Sequence, residues 1–157
     1  MREIIKEPNE ILHKKCEPVV DFEEARKIAG DLLQVMKSIP VKFLIWNRWI
    51  GFAANQIGYS KRIIALKRGK NKYEILVNPV IVEKRFPSLQ PESCFSLNRK
   101  RLLQRFYLVK RYLWTKVKYQ DLEGQPHEIV LKGPNAIYQE IDHINGVMIP
   151  EIGFRIL

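Results

Sequence analysis

The 157-residue chain is 46% hydrophobic and 28% charged, a globular balance that excludes a disordered polymer. No apolar run reaches the roughly 20 residues that cross a bilayer, and the opening MREIIKEPNE is too polar for a secretory signal, so one cytoplasmic domain over residues 1–157 is expected. Its 27 basic and 17 acidic residues give a net charge of +10, which suits polyanionic partners such as RNA as well as a plain solvated surface.

In chain order, VDFEEARKIAGDLLQVMKSI places Phe22, Ala25, Ile28, Ala29, Leu32, Leu33, Val35 and Met36 at helical spacing. Asp21 is its expected N-cap, Glu23 and Glu24 suit the helix dipole, and Pro40 limits its far end. KRIIALKRGKNKYEILVNPVIVEKR reads as strand, turn and strand, with Asn78-Pro79 interrupting the second run. A second hairpin follows in YLWTKVKYQDLEGQPHEIVLKG, turning at Glu123-Gly124. Gly133-Pro134-Asn135 introduces a final helix from Ala136 to about Asn145, ended by Gly146, and VMIPEIGFRIL is expected to be extended. Hairpins between an early and a late helix indicate an α+β domain.

Two cysteines, Cys16 and Cys94, make no disulfide framework; each reads as a free thiol, a small buried hydrophobe or a metal ligand. Between Glu92 and Asp121 there is no acid, while Arg99, Lys100, Arg101, Arg105, Lys110, Arg111, Lys116 and Lys118 are all basic. A ribosome or RNA contact is expected to run from Arg99 to Lys118.

Chemistry concentrates in IYQEIDHING. Gln139 and His143 are four apart and share a helix face, which Glu140 also reaches. Alone, one His beside a Glu reads as an ordinary helix. Two further segments add weight: GFAANQIG, where a small-residue turn permits close backbone approach and presents Gln56, and PESCFSL, which sets Cys94 among small polar residues.

Together, WIGFAANQ, ESCFS and QEIDH resemble the three ordered motifs of the peptide deformylase family, G-x-G-L-A-A-x-Q, E-G-C-L-S and H-E-x-D-H. The likeness extends through REIIKEPNEILHKKCEPV, KRIIAL, VNPVI, VKYQDLEGQPHEI and DHINGVMI. It implies antiparallel hairpins and sheets around a C-terminal metal-binding helix. It implies Cys94 and His143 as ligands of one divalent ion (Fe2+, Zn2+ or similar), Glu140 as general acid/base, and Gln56 with the Phe95 backbone N–H as oxyanion donors. The substrate pocket would involve Trp49, Gly51, Phe52, Ser93 and Phe95.

By this resemblance Gln139 occupies the position of the family's first helix His, where its carbonyl is a weak or absent ligand. Trp49, Phe52, Ser93 and Phe95 also depart from the family pattern, each toward a bulkier side chain. The resemblance implies a monomeric hydrolase that removes formyl from the N-terminal formyl-methionine of nascent polypeptides. The departures open a second reading: a catalytically impaired relative that binds peptide N-termini or RNA, with its metal weakly held or absent.

Overall fold

The structure, a computed structural model, describes residues 1–39, 50–97 and 106–156. Helix α1, Phe22–Ser38, begins where the Asp21 carboxylate accepts from the Glu23 and Glu24 N–H groups at 2.9 and 3.3 Å. It stops at Ile39, which is extended as a residue before proline should be. Ala25, Ile28, Ala29, Leu32, Val35 and Met36 are buried, and Phe22 is partly buried against the same core.

Among the described residues, six antiparallel strands form one sheet: β1 Gly51–Ala53, β2 Ile63–Gly69, β3 Lys72–Glu92, β4 Tyr107–Gln120, β5 Pro126–Lys132 and β6 Phe154–Arg155. Their order is β1-β2-β3-β4-β5, with β6 pairing the start of β4. Strand alternation sends Ile63, Ala65 and Val77 to one face, packed with α1, and Ile64, Leu66, Leu76, Val117 and Leu131 to the other. Against that second face lies α2, Ile137–Ile144, through Ile137, Tyr138, Ile141 and Ile144. A short helix α3, Ile149–Ile152, follows it. The α+β architecture of antiparallel hairpins around a C-terminal helix is the one expected.

Two local expectations are corrected. Asn78-Pro79 does not end the second run: β3 continues through it because a bulge between Val77 and Val80 absorbs the proline, which has no N–H to donate. Asn78 takes φ 50° there, and its amide holds both the N–H and the carbonyl of Val19. The C-terminal segment is not uniformly extended either. Pro150 sits in the first turn of α3, where its missing N–H costs nothing, and the Met148 N–H is held by Glu151 at 2.9 Å.

Candidate active site

Three elements deliver the site. β1 and the 3-10 turn after it, Ala54–Ile57, bring Gln56; the turn leaving β3 brings Cys94; α2 brings Gln139, Glu140 and His143. Cys94 Sγ lies 3.2 Å from His143 Nε2. Gln56 Nε2 lies 3.5 Å from the same sulfur and donates to Ser96 Oγ at 3.1 Å, while its Oε1 accepts from the Ala53 N–H at 2.9 Å. The Ser96 N–H also points at Cys94 Sγ, at 3.3 Å. Asn55, which the sequence did not single out, anchors α2 by donating to the His143 carbonyl at 2.6 Å.

Glu140 is fully buried beside Gly51, and neither carboxylate oxygen has a hydrogen-bond partner among the described residues. A Cβ at Gly51 would fall 2.5 Å from Glu140 Cγ, so only glycine lets β1 pass this carboxylate. His143 Nδ1 is likewise buried without a partner among the described residues.

Burial governs the electrostatics. It pushes the Cys94 thiol up to about 12, with the Glu140 charge adding to the effect, and depresses His143 to about 4, helped by the Arg111 cation. Burial, then Glu92 and Asp142, hold the Glu140 carboxyl well above the usual carboxylate range. At neutral pH this is a thiol facing a neutral imidazole, with the environment opposing charge on the adjacent carboxyl.

Gln139 is anchored through its amide nitrogen. Its Nε2 donates to the Ser93 carbonyl at 3.3 Å and to Glu92 Oε2 at 3.4 Å. Both neighbours only accept, so the amide nitrogen must be the atom directed at them. Arg111 grips Glu92 in a fork, Nε to Oε1 at 2.7 Å and Nη2 to Oε2 at 2.9 Å. Its Nη1 stands 2.8 Å from Asp142 Oδ2, a charge contact. Its side chain is only 5% exposed, so Arg111 is not part of an RNA-facing surface as its place in the basic stretch had suggested. Its position in β4 holds the clue: Val109, Arg111, Thr115 and Val117 share one strand face and are buried, with Leu113 the exposed exception between them.

Phe52 is fully buried in the α1 core and stacks on Phe95, ring centroids 5.5 Å apart. It presents no surface to a ligand. Alternation explains this, since Gly51 and Ala53 face α2 and Phe52 must face away. Ser93 and Phe95 are half-buried on the Cys94 turn, and the Phe95 carbonyl accepts from Lys6 Nζ. Trp49, Arg99, Lys100, Arg101 and Arg105 lie outside the described residues.

A catalytic zinc or iron site of this type uses three protein ligands and an open position. Sulfur and nitrogen 3.2 Å apart suit two neighbouring corners of such a site. At the third corner the sequence offers Gln139, whose carbonyl oxygen is a weak neutral donor and whose amide nitrogen is held by Ser93 and Glu92. Among the described residues, no group of three or more His, Cys, Asp or Glu side chains is arranged to hold a metal ion. The donor set therefore does not fit the tightly held ion that the resemblance implies.

The sequence profile described as polypeptide deformylase matches residues 1–152. The chain belongs to the polypeptide deformylase family. Peptide deformylase 1 of Bacillus anthracis is 33% identical over 149 residues, covering 93% of this chain and 88% of the relative. The peptide deformylase of Thermotoga maritima superposes with a TM-score of 0.76 at 28% identity, over 97% of each chain. The Met-Ala-Ser-bound class I type b peptide deformylase of Acinetobacter baumannii gives 0.77 at 27% identity, over 97% and 98%. Deformylase membership brings the family's fold and general hydrolytic role.

Proposed function

We propose that this protein captures the N-formylated ends of polypeptides and is impaired in the metal-dependent hydrolysis that the family name denotes. The observation that carries this reading is the donor chemistry of Gln139, which stands where the family pattern has its first helix His and has only a weak carbonyl oxygen to offer a metal. Its amide nitrogen is held by Ser93 and Glu92, and Cys94 and His143, in direct contact, are the two strong donors among the described residues.

The edge of β1 supports the capture of a peptide. The Ile50 carbonyl accepts from the Lys67 N–H, so Phe52, two residues on, also bonds toward β2. Alternation then leaves the Gly51 N–H and carbonyl on the outer edge of β1, where an extended peptide can pair as an added strand. The likeness to a deformylase with Met-Ala-Ser bound supports a short peptide as the occupant. A neutral thiol, a neutral imidazole and a carboxyl that resists ionisation favour an uncharged formamide over an ammonium group.

The working hydrolase remains the second reading, because Cys94, His143, Glu140 and Gln56 still meet in one place. One experiment separates the two: titrate formyl-Met-Ala-Ser and Met-Ala-Ser into the protein, then measure formate release with ferrous iron or zinc added. Tighter binding of the formylated peptide without formate release is expected. Sustained metal-dependent formate release would make the hydrolase the correct reading.

A further inference from the structure

We propose that the part of the sheet face left bare by α1 is a docking surface for single-stranded RNA, with Trp114 as the stacking platform and Lys118 and Lys132 as phosphate contacts. The surface lies on the opposite side of the sheet from the α2-side core and stands independently of the peptide-end reading.

The strand register defines it. Val117, Ile81, Ile129 and Leu131 turn toward α2, so their neighbours turn the other way. Three cross-strand rows result: Val80, Lys118 and Glu128; Glu83, Lys116 and Val130; Arg85, Trp114 and Lys132. Val77 and its partner Gln120 continue these rows under α1, whose core residues pack on β1, β2 and the first part of β3. Beyond Val77, no described helix covers the face. Val80 is 54% exposed and Val130 39% exposed.

Charge identifies the occupant. Lys116 is paired with Glu128 at 3.3 Å and Arg85 with Glu83 at 2.7 Å, which neutralises both acids in the rows. Lys118 and Lys132 are exposed and have no acidic partner among the described residues. The Arg85 guanidinium lies over the Trp114 ring, 4.9 Å from its centroid, so two π surfaces are already stacked. Trp114, Lys116 and Lys118 repeat about every 6.8 Å along β4, a step that an extended sugar–phosphate backbone can follow. Aromatic and guanidinium planes with flanking cations take unpaired bases and phosphates. Unpaired bases are the normal state of RNA loops, whereas duplex DNA hides them, so RNA is the source.

The test uses the whole protein and a fluorescent RNA of about 12 unpaired nucleotides, read by anisotropy over a salt series. Binding is expected at low salt, and Trp114→Ala should weaken it about tenfold or more. Trp114→Phe, which keeps a ring, should stay near the parent and controls for misfolding of the alanine variant. Lys118→Gln with Lys132→Gln should lower the slope of log affinity against log salt by about 1.4. The inference is overturned by no binding at low salt, by equal binding of duplex RNA or polyglutamate, or by tighter binding of the matching single-stranded DNA. It is equally overturned if the loss follows neutralisation of Lys67, Lys70 and Lys72 at the β2–β3 turn while the Trp114 and lysine variants bind normally.

Discussion

Two buried polar clusters sit on neighbouring faces of α2, and they are finished differently. The cluster of Arg111, Glu92, Asp142 and Gln139 is closed by charge: the guanidinium forks onto Glu92 and stands 2.8 Å from Asp142 Oδ2. That oxygen has the ion pair but no hydrogen bond among the described residues, and the Gln139 amide takes up a remaining acceptor. The cluster of Cys94, His143 and Glu140 is open, with the Glu140 oxygens and His143 Nδ1 unpartnered among the described residues. Buried polar groups without partners are costly and persist where they serve a ligand. The closed cluster holds the chain in place, and the open one faces the chemistry. Gln139 belongs with the closed cluster, although it immediately precedes Glu140 of the open one.

The largest effect expected from this contrast is on stability. Arg111→Met removes the buried cation and leaves the half-buried Glu92 and Asp142 without it, which should cost about 3 kcal/mol in urea unfolding. A loss near zero would mean that the closed cluster is not a structural unit.

Moving residue 139 from one cluster to the other comes next. Gln139→His should complete a three-donor set with Cys94 and His143 and tighten zinc binding by more than about 100-fold, since a direct ligand is gained. Competition with a chelator measures it. Unchanged affinity would show that the imidazole takes over the contact with Ser93 and Glu92 instead.

Gly51→Ala presses on the open cluster. Its Cβ would meet Glu140 Cγ at 2.5 Å, and displacing that carboxylate should cost about 1–3 kcal/mol and weaken formyl-peptide binding. Full retention of both properties would show that Glu140 is free to move aside.

The smallest effect concerns pH. The folded-state pKa of Glu140 is raised above the unfolded value, so its contribution is present at low pH and is lost as pH rises through the folded value. Glu140→Gln imitates the protonated carboxyl. The variant should match the parent below the unfolded carboxyl value, at about pH 3.5, and exceed it at about pH 8, because only the parent carries the Glu140 ionisation penalty across that window. A parent–variant difference independent of pH would contradict the burial argument.

Much of this contrast is visible in the sequence, for physical reasons. Cys94, Gln56, Glu140 and His143 stand in ordered motifs whose spacing survives folding, and the α2 register alone places Glu140 and His143 together. Asp21 and the apolar period of residues 22–36 define α1 because capping and burial act locally. Arg111 was hidden in a basic run, since its acids come from β3 and α2, 19 and 31 positions away in the chain. Phe52 was read as a pocket wall by motif alignment, while strand alternation sends it into the α1 core. Asn78-Pro79 read as a break because a bulge that accommodates proline depends on the partner strand.

The most direct measurement takes protein purified without oxygen, determines its metal content, and follows formate release from formyl-Met-Ala-Ser on the same sample. Metal well below one ion per chain, formylated-peptide binding and no sustained formate release are the predicted results. One tightly held ion per chain with steady turnover would contradict the two-donor account and return Gln139 to the metal as a working ligand.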